Sequence, residues 1–311
     1  MKENIQSDYI NEIKKLQKEK NAIILAHYYQ TDDIQEIADF LGDSLALSQK
    51  AQSTDADIIV FAGVCFMAET AKILNPNKKV LIPDKEAGCS LADSCKADDF
   101  KNFIEKYPDH KVVSYINCSA EIKVLSDVIC TSGNAIKIVN SFPKEQALIF
   151  APDKNLGAYI NSITGRNMVL WNGSCEVHDL LTIEKVIQLK KENPDALLIS
   201  HPECKAVILE ISDFIGSTTA LLKFTRENPC KKFIVATETG ILYQMKKISP
   251  EKEFIIVSGE ESCACNDCAY MKKITMEKLY NCLLNEEPEI LIDNDLIVKS
   301  KAPIIKMLEL S

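Results

Sequence analysis

The chain has 311 residues, 46% hydrophobic and 26% charged, with a formal net charge of −9. That length exceeds the usual size of one core, so two or three compact units are expected. The acidic balance, without a dense basic cluster, argues against a nucleic-acid partner, and no apolar run reaches the roughly 18 residues of a membrane span.

In chain order, residues 1–20 read as a polar helix. They lack the apolar segment of a signal peptide, which points to the cytoplasm. Twelve cysteines in that compartment argue for thiols and metal ligands, not disulfides. Six of them, Cys65, Cys118, Cys130, Cys204, Cys230 and Cys282, read as small core residues. Apolar runs of strand length then follow: NAIILAH, DIIVFAG, KVLIP, KVVSYIN, ALIFAP, NMVLW, ALLISHP, KFIVATE and EFIIVS. Continuous runs suit parallel strands buried on both faces. The intervening segments, such as FMAETAKIL, GNAIKIVNSF and TTALLKFTREN, carry helical spacing. The fold class is therefore α/β.

The runs repeat. His27, Tyr115 and His201 end the first strands of three units, at steps of 88 and 86 residues. DFLGDS, DVICTS and DFIGST then align, each from an Asp (Asp39, Asp127, Asp213) to a hydroxyl (Ser44, Ser132, Thr218). That hydroxyl lies 17 residues past its anchor in every copy. The expected organisation is an N-terminal helix (1–20), α/β repeats over 21–107, 108–194 and 195–270, and a C-terminal helix and tail (271–311). Each repeat should be a three-layer αβα unit with a short parallel sheet. Pseudo-threefold packing would bring the C-terminal strand ends, where α/β sheets bind ligands, to one central site.

Three groups of residues fall at those ends. Ser44, Ser132 and Thr218 open helices and read as N-caps; three helix N-termini facing one cavity also offer anion sites without Arg. The pairs His27 and Tyr29, Tyr115 and Asn117, and His201 and Glu203 have i, i+2 spacing and form an acid–base and hydrogen-bonding wall. Past the last strand of each unit lies a thiol: Cys89, Cys175, and one of Cys263, Cys265 or Cys268. Spacing alone favours Cys263, at the same 62-residue offset from its anchor as Cys89. Three thiolates brought to one point suit zinc or an iron–sulfur cluster. The shared-cluster reading leads, because three cysteines leave one iron open as a Lewis acid. The competing reading is a non-enzymatic iron–sulfur or zinc redox sensor.

AHYYQ, GDSLALS, PDKEAGCSLADSC, VSYINCSAEIK, CTSGNA, WNGSCEVH, HPEC, GST, ATETGILYQM and the CAYMK that starts at Cys268 together resemble the A-type iron–sulfur quinolinate synthases, over essentially the full chain. The resemblance implies condensation of iminoaspartate with dihydroxyacetone phosphate to quinolinate, phosphate and water, a transferase reaction of de novo NAD biosynthesis. L-aspartate oxidase would be the source of iminoaspartate. A 4Fe–4S cluster with one open iron would sit on Cys89, Cys175 and Cys268, overriding the spacing that favours Cys263. A Cys265–Cys268 disulfide would remove that last ligand. Substrate contacts would come from His27, Ser44, Tyr115, Asn117 and Ser132, and from His201, Pro202, Glu203, Ser217 and Thr218. Glu203, His201, Tyr29 and His27 would carry the catalysis.

Overall fold

The computed structural model describes residues 2–258 and 266–311, with side chains from residue 9 onward. Cys263 and Cys265, and the question of a Cys265–Cys268 bond, lie outside the described residues. Among the described residues, twelve strands form three separate four-stranded sheets. The first holds β1 (Ala22–His27), β2 (Phe40–Gly42), β3 (Ile58–Ala62) and β4 (Lys79–Leu81). The second holds β5 (Lys111–Tyr115), β6 (Val128–Cys130), β7 (Leu148–Ala151) and β8 (Val169–Leu170). The third holds β9 (Leu197–Ser200), β10 (Phe214–Ile215), β11 (Lys232–Ala236) and β12 (Glu253–Ile256). Every paired strand is parallel, and the order in each sheet is second, first, third, fourth. Helices flank the sheets, as buried parallel strands require.

The shared order makes a switch point between the first and third strand of each sheet, where the chain leaves in opposite directions. His27, Tyr115 and His201 stand at that point, at or just past the ends of β1, β5 and β9.

The repeated aspartates have a mechanical role. Asp39 Oδ2 accepts from the Ile24 amide at 2.7 Å, Asp127 Oδ2 from Val112 at 2.8 Å, and Asp213 Oδ2 from Leu198 at 2.7 Å. Each aspartate's own amide donates back to the carbonyl of the same residue. The side chain thus clamps the strand that carries the anchor to the start of its short neighbour. A buried amide left unpaired costs about 1–3 kcal/mol, which gives each clamp its value.

The cores follow the sheets unevenly. One large cluster joins the first sheet, one face of the second and the C-terminal segment. The other face of the second sheet has its own cluster, where Phe100 and Phe103 meet the only tryptophan, Trp171, edge-on at 5.7 and 5.2 Å. The third sheet has a cluster on each face. The C-terminal region is more than an appended tail. Helix Asn294–Glu309 packs against β6 and against helices Cys65–Leu74 and Ala120–Val124, and so ties the first unit to the second. Helix Met276–Asn285 packs on the N-terminal helix Lys2–Glu19. No helix among the described residues is long and apolar enough to cross a membrane.

Four of the six cysteines expected in the core are there: Cys118, Cys130, Cys204 and Cys282. Cys65 and Cys230 are only half-buried. Cys65 starts a helix and Cys230 precedes a strand, and the two thiols donate to the carbonyls of Lys85 and of Lys232, at the start of β11.

Candidate functional site

A cavity of ≈ 140 Å³ lies where the three sets of strand ends meet. A single water needs about 10–15 Å³ on this measure, so there is space for polyatomic ligands. His27, Tyr29, Ser44, Tyr115, Asn117, Ser132, His201, Glu203 and Thr218 all line it, as do Cys89, Cys175 and Cys268. Pro202 and Ser217 are buried beside it but are not among the lining residues. No Lys or Arg lines it among the described residues, while Asp43, Glu203 and Glu238 do, so an anion there depends on neutral donors and helix ends to offset nearby carboxylates.

The expected N-caps are displaced by one residue. The cap of helix Ser44–Ser53 is Asp43, whose carboxylate accepts from the Ala46 amide, and the cap of helix Thr218–Glu227 is Ser217, whose hydroxyl accepts from the Ala220 amide. In the second unit the helix starts later, at Ala135, after a turn in which Asn134 Oδ1 accepts from the Thr131 amide at 2.6 Å. The preceding residue does the capping in two units and a turn intervenes in the third. Ser44, Ser132 and Thr218 are therefore free of cap duty, and all three line the cavity.

The two histidines of the wall are held alike. His27 Nδ1 accepts from the Tyr29 amide at 3.1 Å, and His201 Nδ1 from the Glu203 amide at 3.4 Å. An Nδ1 that accepts places the ring proton on Nε2. Burial pushes His27 down to about 4 and His201 down to about 3. Both rings are therefore neutral N–H donors at physiological pH, and His201 Nε2 lies 3.2 Å from Ser132 Oγ.

Glu203 is 3% exposed. Its Oε1 accepts from Tyr115 Oη at 2.5 Å, and its Oε2 lies 2.8 Å from His178 Nδ1. Burial works against the carboxylate, but His178 and the Tyr115 hydroxyl outweigh it and hold Glu203 below the usual range. His178 stacks on His201 at 4.8 Å, and its Nε2 lies 3.0 Å from Thr237 Oγ1. Thr237 reaches Tyr29 Oη at 2.8 Å, and Thr218 Oγ1 donates to the same phenol at 3.0 Å. Polar contacts thus run from Thr218 through Tyr29, Thr237 and His178 to Glu203 and Tyr115. Asn117 Oδ1 is buried without a hydrogen-bond partner.

The three thiols share one backbone geometry. Asp93 donates to the carbonyl of Cys89 at 2.9 Å, Asp179 to that of Cys175 at 2.9 Å, and Lys272 to that of Cys268 at 3.1 Å. Each cysteine thus opens a helical turn. The amides of Ala92, His178 and Met271, three residues on in every case, face the sulfurs and favour their charged form. Burial outweighs that effect, raising Cys89 to about 12 and lifting Cys175 and Cys268 as well. The thiols therefore stay protonated unless a metal's positive charge replaces the protons.

Several site residues had no signal in the repeat. Asp153, fully buried, caps helix Lys154–Thr164 through the Leu156 amide and also accepts from the Cys175 amide at 3.2 Å. Glu238, 1% exposed, accepts from the Cys268 amide at 3.0 Å and pairs with Lys272 at 2.8 Å. Lys272 in turn donates to the Tyr29 carbonyl at 2.6 Å. His178 and Thr237 belong to the same group. With four histidines in the chain, a His three residues past Cys175 was the one available hint.

Fold and site together define an α/β enzyme with a metal-capable centre built at the seam of three like units. A family model described as "Quinolinate synthetase A protein" matches residues 11–309. The chain is 58% identical to a quinolinate synthase of Microcystis aeruginosa over 308 residues, 99% of this chain and 97% of that protein. It is 57% identical to one from Chloroherpeton thalassium (98% and 95% covered) and 56% identical to one from Synechocystis (99% and 97%). The chain belongs to the quinolinate synthetase A family, and so is an enzyme that acts on small molecules.

Proposed function

We propose that the enzyme condenses iminoaspartate with dihydroxyacetone phosphate to give quinolinate, phosphate and water, a transferase reaction of cytoplasmic NAD biosynthesis fed by L-aspartate oxidase. The observation that carries this reading is the meeting of three equivalently turned thiols with a polar wall and three uncapped hydroxyls in one cavity. A redox sensor has no use for that wall. The proposed unit boundaries, 20/21, 107/108, 194/195 and 270/271, leave one sheet and one cavity-lining thiol to each repeat.

Cys89, Cys175 and Cys268 suit a 4Fe–4S cluster: each sulfur faces a backbone amide, as cluster thiolates commonly do. Such a cluster, when bound, supplies an open iron that acts as a Lewis acid on a carbonyl or hydroxyl oxygen. The chain's own residues do the rest. Ser44, Ser132 and Thr218 and the nearby helix ends hold the phosphate and the carboxylates, with Pro202 and Ser217 supporting from behind. Asn117 donates through its amide nitrogen or accepts through its unpartnered Oδ1. His27 and His201 present Nε2–H to developing negative charge. That leaves Glu203, already ionised, as the base that takes a proton from carbon. Tyr29 delivers protons on the opposite wall, and Thr237 and His178 lie between the two. Tyr115 orients Glu203.

The test is anaerobic purification followed by a quinolinate assay with both substrates. The protein should be brown, with about four irons and four sulfides per chain, and should form quinolinate. Cys268→Ala should bleach it. Colourless, zinc-loaded and inactive wild-type protein would favour the sensor reading.

A further inference from the structure

We propose that the cluster-free protein binds one zinc(II) ion on Cys175, His178 and Glu203, a site that shares only Cys175 with the three-thiol set. The ligand atoms of these residues all lie within 4.8 Å of one another, which holds for no other group of three or more His, Cys, Asp or Glu among the described residues. Zinc-bound N, O and S atoms at about 2.0–2.3 Å from a tetrahedral ion sit roughly 3.3–3.8 Å apart. Small side-chain rotations close that difference.

His178 supplies the second, independent observation. The residue is 2% exposed, and its Nδ1 has no aligned hydrogen-bond partner, although Glu203 Oε2 is only 2.8 Å away. Its Nε2 is occupied by Thr237 Oγ1 at 3.0 Å. Nδ1 and the carboxylate oxygen face each other at contact distance. A cation between them replaces that single contact with two bonds. Thr237 then serves as the outer partner that a ligating imidazole ordinarily has.

Charge and chemistry agree with zinc. Cys175 releases its proton to solvent on binding. Thiolate, carboxylate and neutral imidazole then balance the two positive charges, so the buried site is neutral. One sulfur, one nitrogen and one oxygen are a zinc donor set, with the fourth position left to water. The Cys175 backbone is already fixed by Asp153. Because Cys175 would serve both occupants, zinc and the cluster exclude one another. That exclusion rests on the cluster reading above; the zinc site does not.

The full chain, freed of iron under reducing anaerobic conditions, is titrated with zinc alone against a chromophoric chelator, and the zinc edge is measured by X-ray absorption. One zinc per chain with a single sulfur neighbour is expected. Loss of an outer-shell partner alone weakens metal sites about 10–100-fold, so His178→Gln should weaken binding at least about 100-fold. Cys89→Ala and Cys268→Ala should leave both stoichiometry and spectrum intact. Zinc-loaded protein should resist cluster assembly from iron and sulfide until the zinc is chelated. Two or three sulfur neighbours, equal affinity in His178→Gln, or no stoichiometric binding would overturn the proposal. Should His178→Gln fail to fold, the sulfur count in wild type decides alone. Quinolinate formation by zinc-free, cluster-loaded enzyme is read separately, so the functional reading can fail without touching this result.

Discussion

His27 and His201 occupy equivalent positions and carry the same backbone lock, a ring nitrogen accepting from the amide two residues on. The sequence shows two imidazoles at matched spacing, which suggests bases. The lock and the burial make them donors, and that depends on which ring nitrogen the backbone engages, something no spacing reveals. Base duty then concentrates on Glu203. Glu203→Gln keeps the size and the buried partners but removes the charge. It should lower turnover by about 10²–10⁴-fold, the usual contribution of a general base, while the protein stays brown. Near-normal turnover in steady-state assays would remove Glu203 from that role. His178 shows the opposite limit of legibility. Its partners Glu203 and Thr237 lie 25 and 59 residues further on, so only the packed third unit brings it into the site.

At the scale of elements, the alternation of strands and helices and the three repeats were readable because buried parallel strands demand continuous apolar runs. Helix starts were less so. A hydroxyl before an apolar helix reads as a cap, yet Asp43 and Ser217 take that position one residue earlier, and a shift of one residue lies beyond the resolution of spacing. The C-terminal segment was also underread: periodicity gives a helix but not which units it joins. One joint there titrates. Glu286 sits at the end of helix Met276–Asn285 with φ +56° and bridges Lys20 at 2.8 Å and Lys79 at 2.5 Å. Hydrogen bonds from Lys20 and Lys79 hold its carboxyl down at about 2, against an ordinary value of 4.5. A carboxylate depressed on folding contributes stability above its unfolded value, and that contribution fades as pH falls from about 4.5 toward 2. Wild type should therefore exceed Glu286→Gln by up to about 1 kcal/mol near neutral pH, given the partial exposure. The gap should close as the acid range is entered. Thermal melts across pH test this; a gap that persists to pH 2 would mean the joint is not ionic.

Across the whole molecule, the first and third units meet along a polar seam. Gln35 Nε2 lies 2.9 Å from the carbonyls of Tyr28, Gln30 and Gly240, and its Oε1 accepts from Gln244 at 3.0 Å. Gly240 has ordinary helical dihedrals, so its small size answers to proximity: an added Cβ would lie 2.8 Å from the Tyr29 backbone. Gly240→Ala should push the seam apart beneath Tyr29, costing about 1–3 kcal/mol as overpacking does. It should also raise KM, because Tyr29 reaches the cavity from that backbone. Unchanged melting and unchanged kinetics would show the seam to be slack.

The three aspartate clamps keep the units mechanically alike, while the residues they hold at the cavity have diverged into His with Tyr, Tyr with Asn, and His with Glu. In a trimer of separate identical chains, every substitution would appear three times, and one wall carboxylate facing two phenols would be unattainable. Fusing the copies into one chain lifts that restriction. Each wall can be altered singly, so a scaffold with threefold symmetry can host a reaction whose two substrates have none.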